Sequence, residues 1–331
     1  GIAGHHIRGQ NSRGMVTVYH NRIVTDEDIR RVIDAAQVLI PNDREVLHIL
    51  PQEFIVDDQD GVQNPLGMAA ARLEVNVHIV TGSVTSAQNI IKCCNQSGLD
   101  VEDIVLEPLS SSQAVLSPDE QEVGVVLVDI GGGTTDVTIY SEGSIVHTAV
   151  LALGGNHLTH DIAIGLGAPL HEAEEIKHKY GVAMSTMVEE DEMIDVPSVG
   201  GRNNRTMQKR VLASIIEDRF REIFELIAHE IEKTHFHTLM ASGVVITGGT
   251  CIMPGADMLA SQVLNLPVRV GYPENIAGLR EMIYSPKYAT SVGLVRYGIT
   301  SNQGKLNFVG DDTNLFHKVS RRMKDWMQDF F

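Results

Sequence analysis

Cysteine, aromatic residues and positive charge are all scarce in this sequence. Its 331 residues include three cysteines, one tryptophan and 5% aromatic residues. The 26 Lys and Arg residues are outnumbered by 43 Asp and Glu residues. Three cysteines offer no disulfide framework and no metal-ligand spacing. The net charge of −17 argues against nucleic acid as a partner, because phosphate contacts need clustered Lys and Arg. No apolar run reaches the ~18 residues that a membrane-spanning helix needs.

The length and apolar content predict more than one folded unit. With 331 residues, of which 43% are apolar, the chain is able to bury more than one core, and we expect at least two domains. The first part follows the order strand, helix, strand, strand, which is typical of a small α/β unit. Thr25 and Asp28 have the spacing of a capping box, and apolar residues then recur at helical spacing to Ala36. The strands are expected at 16–18, 46–50, 54–56 and 73–81.

A glycine-rich turn between two apolar segments dominates the middle of the chain. The β-branched run at 125–130 predicts a buried strand, and a second strand follows at 137–139. The intervening glycines have no Cβ atom, so their N–H groups are able to approach a phosphate chain. Thr134 and Thr135 offer hydroxyl donors, and Asp129 is suited to hold Mg²⁺ directly or through its waters. The alternative is a plain glycine-rich hairpin. The Asp before the glycines and the Thr-Thr-Asp after them argue against it.

A second anion-binding signal follows at residues 154–156. Gly-Gly-Asn there leads into a predicted helix over 157–166. Free N–H groups and the dipole at a helix N-terminus favour an anion. The residues predicted to bind phosphate are Asp129, Gly131, Gly132, Gly133, Thr134, Thr135, Gly155 and Asn156.

The hairpin at 125–140 resembles the second phosphate-binding hairpin of the actin superfamily of ATPases. Three further segments narrow the resemblance to the FtsA family of division proteins: Gly4-His5-His6-Ile7, Asn-Pro-Leu-Gly-Met at 64–68 and Val-Pro-Ser-Val-Gly-Gly-Arg at 196–202. The resemblance implies an α/β fold of the actin-like ATPase type, with two lobes around a nucleotide cleft. It also implies a small α/β insertion called 1C, a C-terminal amphipathic helix, and ATP and Mg²⁺ as cofactors. The family's first phosphate-binding hairpin has no match here, and we expect an N-terminally truncated member.

The same resemblance predicts how the chain is divided. By resemblance, subdomain 1C contacts the neighbouring protomer and other division proteins, and subdomain 2B binds the C-terminal tail of FtsZ. The expected boundaries are 1–4 and 81–121 for subdomain 1A, 5–80 for 1C, 122–167 and 231–299 for 2A, 168–230 for 2B, 300–313 for a linker and 314–331 for the amphipathic helix.

Two further sets of site residues rest on the resemblance. Glu107 corresponds to the position where superfamily ATPases orient the attacking water, although an ordinary loop acid before a proline is the alternative. Glu174 and Lys177 resemble a pair that reaches ribose and adenine; residues three apart share a helix face, but a surface ion pair fits equally well. An apolar strand at 244–247 ends in a turn that resembles the adenosine-binding turn. The residues predicted to bind adenosine are Glu174, Lys177, Gly248, Gly249 and Thr250.

The last eighteen residues have the pattern of an amphipathic helix. Spaced at ~100° per residue, eight apolar side chains fall within an arc of roughly 160°, which suits insertion into an anionic membrane surface. A helix that packs on the body of the protein is the alternative, disfavoured by the polar linker and the aromatic end. The residues predicted to enter the membrane are Leu315, Phe316, Val319, Met323, Trp326, Met327, Phe330 and Phe331.

The resemblance implies a membrane-tethered, actin-like protein at the division site, on the cytoplasmic face of the inner membrane. Such a protein anchors FtsZ filaments through the FtsZ tail, polymerises with ATP bound, hydrolyses ATP weakly at most, and recruits later division proteins. The alternative is an actin-superfamily ATPase or a pilus-assembly protein similar to PilM, in which nucleotide turnover is the main function. A chaperone would need a further substrate domain, and a sugar kinase would need an acidic loop that we do not find.

Overall fold

The computed structural model describes residues 1–19, 22–37, 43–198, 204–234, 241–274, 276, 278 and 280–303. In its first third, the elements are β1 (Arg8–Thr17), α1 (Asp26–Ala36), β2 (Arg44–Val56), β3 (Gln59–Val62), β4 (Arg72–Ser83) and α2 (Val84–Gln96). The middle third contains α3 (Glu107–Val115), α4 (Pro118–Val123), β5 (Val125–Ile130), β6 (Thr135–Ser141), β7 (Ser144–Leu151), α5 (Gly155–Leu166) and α6 (Leu170–Tyr180). The remaining elements are β8 (Met193–Val196), β9 (Arg205–Gln208), α7 (Lys209–Glu232), β10 (Val244–Thr247), α8 (Ala256–Leu264), β11 (Val268–Val270), α9 (Arg280–Ile283) and α10 (Ala289–Gln303).

The first four strands form an antiparallel sheet, which we call the insertion sheet, in the order β1-β4-β2-β3. Helix α1 covers one face, where the alternating residues Leu73, Val75, Val77 and Ile79 of β4 are buried. The predicted capping box is confirmed: Thr25 Oγ1 accepts from the Asp28 N–H, and the Asp28 carboxylate accepts from the Thr25 N–H. A strand, a helix and further strands follow one another as predicted in this unit, whereas the short strand β3 was not predicted.

The strand boundaries of this unit differ from the predictions. β1 is ten residues long, whereas the sequence indicates strand only at 16–18. The two predicted strands at 46–50 and 54–56 are one continuous strand, β2, whose register against β4 shifts twice. These register shifts interrupt the alternation of apolar residues along β2. The sequence pattern therefore indicates two short strands where the structure has one.

The central sheet has the order β11-β10-β5-β6-β7. β10 runs parallel to both β5 and β11, while β5, β6 and β7 form an antiparallel meander. Every residue of β5 is buried, as the continuous apolar run predicts for a strand covered on both faces.

Helices cover both faces of the central sheet. The long helix α7 lies on one face, where its apolar stripe at Leu212, Ile216, Phe220, Phe224 and Ile227 is buried. On the other face, α3 and the insertion sheet contribute to a second core with β5 and β10. The polar segment that precedes β5 is the short helix α4, in which Ser117 and Glu120 form a capping box. None of the helices within the described residues has the length and apolarity to cross a membrane.

Candidate functional site

The candidate site lies where two parallel strands of the central sheet end. β5 and β10 are in register, with Asp129 opposite Thr247, so their carboxyl ends meet at one edge of the sheet. Gly248 follows at once with φ of 94°. A Cβ atom there would lie 2.5 Å from both Asp129 Oδ1 and the Ile130 carbonyl oxygen. Only glycine fits between the two strand ends, and the ends of parallel strands are where such folds bind ligands.

Side chains of two helices donate hydrogen bonds to Asp129. Its Oδ2 atom accepts from the Ser111 hydroxyl at 2.6 Å and from the Thr290 hydroxyl at 3.2 Å. Ser111 belongs to α3 and Thr290 to α10. Burial raises the pKa of Asp129, and the two hydroxyl donors partly offset this rise. The carboxylate is therefore fixed in place with one oxygen engaged.

A second carboxylate, which the sequence analysis did not select, faces Asp129. Asp136 lies directly opposite it in the β5–β6 pairing, so both side chains share one face of the sheet. Asp136 is buried, and its Oδ1 atom has no hydrogen-bond partner among the residues that the structure describes. Burial, and then the negative charges of Asp129 and Glu107, raise the pKa of Asp136 to about 8. Counting strand pairs away from the glycine turn would have identified Asp136, because residue 130 pairs with residue 135 and residue 129 with residue 136. We call Asp129 and Asp136 the carboxylate pair.

Glu107 lies near the carboxylate pair and is not a loop residue. It begins α3 and is half-buried. Burial raises the pKa of Glu107, and the negative charge of Asp129 raises it further. A carboxyl group with a raised pKa is suited to proton transfer near neutral pH.

The predicted phosphate residues come together beside this pair. In the glycine turn, residues 131–134, the Gly131 N–H donates to the Thr134 carbonyl at 2.9 Å, and Gly132 and Gly133 are exposed. The Gly155 N–H donates to the Gly131 carbonyl at 2.9 Å, and the Asn156 N–H to the Gly132 carbonyl at 2.8 Å. The start of α5 and the glycine turn thus form one backbone-lined surface.

The two threonines after the glycines take different positions. Thr134 is half-buried, and its hydroxyl lies 3.4 Å from Asp136 Oδ2. Thr135 is fully buried, and its hydroxyl donates to the Leu153 carbonyl at 2.8 Å. The prediction that Thr135 donates to phosphate does not fit this placement, because successive strand residues point to opposite faces. Thr135 anchors the hairpin instead.

The residues predicted for adenosine also border the turn. Gly249 is exposed, and the Thr250 hydroxyl donates to the Gly131 carbonyl at 2.9 Å. Glu174 and Lys177 lie on α6, with the Lys177 Nζ atom 2.7 Å from Glu174 Oε2. Lys177 is buried while Glu174 is half-buried, so the pair is not an ordinary surface ion pair. Burial acts to raise the pKa of Glu174, but hydrogen bonds from Lys177 and Thr159 lower it overall.

The carboxylate pair has the chemistry that a hard cation requires. Asp136 Oδ1 has no partner, and oxygen ligands from one or two carboxylates, with waters and phosphate oxygens completing the shell, are typical of Mg²⁺ sites. Across the part of the chain that the structure describes, no three His, Cys, Asp or Glu residues form a metal-binding group by themselves. The two carboxylates would therefore supply oxygen ligands to Mg²⁺, with waters and phosphate oxygens completing its shell.

Two other regions are the C-terminal segment with the predicted membrane residues and the cationic residues around α7. The eight membrane residues from Leu315 to Phe331, and Arg202, lie outside the described residues. Around α7, Lys209 pairs with Glu192 at 2.7 Å and Arg210 with Glu190 at 3.4 Å. The Arg205 guanidinium donates to the Leu166 carbonyl.

Comparison with known proteins agrees with this architecture. A family model described as cell division protein FtsA matches residues 126–293, and one described as the SHS2 domain inserted in FtsA matches residues 4–81. The chain is 44% identical to cell division protein FtsA of Pseudomonas aeruginosa, covering 100% of this chain and 81% of that protein. It is 43% identical to FtsA of Neisseria meningitidis, covering 89% of this chain and 72% of that protein.

Solved structures share the fold at low sequence identity. MreB5 of Spiroplasma citri bound to ADP superposes with a TM-score of 0.55 at 18% identity, covering 68% of each chain. A chain of the PilM–PilN type IV pilus biogenesis complex gives a TM-score of 0.58 at 16% identity, covering 88% of this chain and 76% of that one. The predicted actin-like α/β fold with an inserted small domain is confirmed. The extent of the sequence identity decides the family: this chain belongs to the FtsA family of cell division proteins.

Proposed function

We propose that this protein binds Mg-ATP at the glycine turn, polymerises in that state and links FtsZ filaments to the cytoplasmic face of the inner membrane at the division site. The observation that carries the nucleotide part is the carboxylate pair beside an exposed, side-chain-free backbone. Asp136 leaves an oxygen unpartnered at 3% exposure, which is costly unless a ligand arrives. The titles of two MreB5 structures from Spiroplasma citri describe that protein bound to ADP and to AMPPNP, which supports a nucleotide for this chain as well.

Each residue then has a task set by its position. Gly132 and Gly133 would present their backbone to the phosphate chain, and Asp129 and Asp136 would hold the metal ion. The start of α5 holds the glycine turn, because the N–H groups of Gly155 and Asn156 donate to the carbonyl groups of Gly131 and Gly132. Mg²⁺, when bound, neutralises phosphate charge and balances the carboxylate pair. Gly248, Gly249 and Thr250 form the wall on which the adenosine lies. Glu107 orients a water and accepts its proton, for which its raised pKa is favourable. Turnover of ATP is slow, because ATP serves mainly as a structural ligand.

Calorimetric titration with Mg-ATP tests the nucleotide site. Asp129→Ala removes the fixed carboxylate, and Gly132→Val introduces a side chain where the phosphate must approach; each should abolish measurable binding, a loss of more than tenfold. Asp119→Asn, at an exposed acid of α4, is the control and should bind as the parent does. Parent-like affinity in both site variants would show that the nucleotide does not bind at this turn.

The FtsZ tail is proposed to bind the region 168–230. The cationic residues Arg205, Lys209 and Arg210 gather there on an otherwise acidic chain, which suits an acidic peptide. Because Glu190 and Glu192 already pair with Arg210 and Lys209, the peptide must replace these exposed partners, which bind weakly in water. Fluorescence polarisation with a labelled tail peptide tests this: charge reversal at the three cations and Arg202 should weaken binding, and undiminished binding would exclude the cluster.

The membrane is proposed to bind residues 314–331, while the insertion sheet contacts a second copy of the chain and later division proteins. Support for the helix comes from its apolar arc in the sequence. Sedimentation with anionic liposomes compares the parent with Trp326→Glu and with a chain ending at Asp312. Both variants should remain in the supernatant, and full pelleting of both would mean that the tether lies elsewhere.

A further inference from the structure

Two hydroxyl groups from different helices meet at one oxygen of Asp129. The Ser111 hydroxyl, from α3, donates to Asp129 Oδ2 at 2.6 Å, and the Thr290 hydroxyl, from α10, donates to the same atom at 3.2 Å. The two hydroxyl oxygens lie 3.0 Å apart. No side chain in the described part of the chain donates a hydrogen bond to the other oxygen, Oδ1. The carboxylate is therefore held through Oδ2, which leaves Oδ1 to accept a cation.

The three oxygen atoms of this cluster share two hydroxyl hydrogens. The Ser111 hydrogen is directed to Asp129 at 2.6 Å, which is the length of a charge-assisted hydrogen bond. A hydroxyl group has one hydrogen to donate, so the hydrogen of Thr290 is shared between Asp129 Oδ2 at 3.2 Å and Ser111 Oγ at 3.0 Å. Ser111 is therefore the main donor, and Thr290 supports both the carboxylate and its donor.

The packing of α3 against α10 fixes both hydroxyl groups in place. Ser111 is fully buried. The two helices approach each other closely, because a Cβ atom at Gly293 would overlap the Ser110 carbonyl oxygen. The Arg296 guanidinium of α10 also donates to the Gln113 carbonyl of α3 at 2.5 Å. The helix pair thus presents its two hydroxyl groups to the carboxylate as one unit.

Glu107 lies on the same face of α3 as Ser111. The two residues are four positions apart, and this spacing places side chains on one face of a helix. Glu107 also lies within electrostatic reach of Asp129. A displacement of α3 would therefore move Glu107 and Ser111 together relative to the carboxylate pair.

From these contacts we infer that Ser111 and Thr290 are positioning residues for the cation, since their hydroxyl groups hold Asp129 through Oδ2 and leave Oδ1 for the metal ion. The same hydrogen bonds keep Glu107 at its distance from the carboxylate pair. The inference rests on the nucleotide binding proposed above. Both hydroxyl groups act through Asp129, so their removal weakens binding of the Mg²⁺ complex of ATP and spares metal-free ATP.

Calorimetry with Mg-ATP and with ATP in EDTA separates an effect on the cation from a general disturbance of the site. Ser111→Ala should weaken binding of Mg-ATP by about tenfold, equal to ~1.4 kcal/mol. Thr290→Val, which keeps the shape of threonine and removes the hydroxyl, should weaken it by a smaller factor. The affinity for metal-free ATP should be unchanged in both variants, and equal weakening of the two ligands would overturn the inference.

Two further variants of α10 are the controls. Thr290→Ser retains the hydroxyl and should bind Mg-ATP as the parent does. Ser291→Ala, at the exposed neighbouring position, should also bind as the parent does. If Thr290→Ser binds Mg-ATP as weakly as Thr290→Val, the methyl group of Thr290 is what matters, and the inference is overturned.

Hydrogen exchange in the ligand-free protein tests the two hydroxyl groups without any nucleotide. Amides at 111–115, in α3, should exchange about ten times faster in Thr290→Val than in the parent, and Thr290→Ser should keep the parent rate. Unchanged exchange in Thr290→Val would overturn the inference whatever the ligands do. If the parent binds neither ligand, the proposed nucleotide site fails, and the exchange result alone decides whether these hydroxyl groups hold the helices to Asp129.

Discussion

At the scale of single residues, the carboxylate pair carries an energetic cost in the folded protein. Asp129 and Asp136 are both buried and face each other across two strands. Burial disfavours the ionised form of each, and the negative charge of Asp129 further disfavours ionisation of Asp136. The pKa of Asp136, raised to about 8 by burial and by the charges of Asp129 and Glu107, expresses that cost. Such strain at a functional site is maintained only where a ligand relieves it.

Asp136→Asn should therefore stabilise the ligand-free protein while weakening its response to Mg-ATP. The amide has nearly the same shape and carries no charge, so we expect a gain of about 1–3 kcal/mol at neutral pH. Thermal unfolding with and without Mg-ATP measures both effects, with Asp119→Asn as the control. A variant that is less stable than the parent without ligand would show that Asp136 is satisfied within the protein.

Gly248→Ala should destabilise the edge of the sheet where Asp129 lies. The new Cβ would meet Asp129 Oδ1 and the Ile130 carbonyl at 2.5 Å, at a φ of 94° that favours glycine. We expect a cost of about 1–3 kcal/mol, seen as a lower melting temperature. Gly133→Ala is the matched control, because a Cβ atom there meets nothing within 4 Å. Equal melting temperatures for the two variants would contradict the prediction.

The candidate site residues that the sequence selects are those whose chemistry is local. Asp129, the glycine turn and the Gly155 turn stand out because each motif is contiguous and combines glycine with a polar group. Asp136 was not selected because its position opposite Asp129 follows from strand register, and the same register directs Thr135 to the opposite face of the sheet. The hydroxyl groups of Ser111 and Thr290 meet across 179 positions of the chain, which a single sequence does not reveal.

At the scale of elements, predictions succeeded where a local pattern determines the structure. The helix α1 was predicted from its capping box and apolar spacing, and both features are present in the structure. β1 was largely missed because most of its side chains are exposed and show no apolar alternation. This strand is held by its ten-residue pairing with β4, so tertiary context decides its conformation.

The capping box of α1 gives a prediction at this scale. Thr25→Ala removes the hydroxyl that accepts from the Asp28 N–H, and leaves the buried Asp28 carboxylate without one of its donors. We expect the α1 amides to lose about 1 kcal/mol of protection in native-state hydrogen exchange. Arg30→Ala, at an exposed position of the same helix, should leave them unchanged, and an equal effect of the two changes would argue against the cap.

At the scale of the whole molecule, the insertion sheet lies against the edge strand β7 through polar contacts. The Asn11 amide donates to the Val146 carbonyl at 3.1 Å, and the Gln52 amide to the Ile145 carbonyl at 3.0 Å. These side chains satisfy carbonyl groups at the edge of the central sheet, which would otherwise be open to pairing. Gly9 permits the approach, because a Cβ atom there would lie 2.1 Å from the Thr148 hydroxyl oxygen.

His78 lies at the centre of this junction and is buried in its neutral form. Its Nδ1 atom lies 2.6 Å from Asn11 Oδ1, and its Nε2 atom lies 2.8 Å from the Thr148 hydroxyl. Asn11 Oδ1 only accepts, so Nδ1 carries the hydrogen and Nε2 accepts from Thr148. Burial, and then the positive charge of His147, lowers the pKa of His78 to about 4. The junction therefore depends on a histidine that stays uncharged well below its ordinary pKa.

His78 should make the attachment of the insertion sheet sensitive to acid. Its pKa is lower in the folded protein than in the unfolded chain, so its contribution is fully present above about pH 6.5 and is lost as the pH falls toward 4. At pH 5 the expected loss is about 2 kcal/mol relative to neutral pH. His78→Gln retains an amide for the two contacts and does not titrate, so hydrogen exchange of β1 and β7 should lose less protection in this variant between pH 7.5 and 5. His147→Gln serves as the comparison, because burial also lowers the pKa of His147 while Glu230 opposes this shift. Equal losses of protection in the parent and in His78→Gln would mean that His78 does not govern the junction.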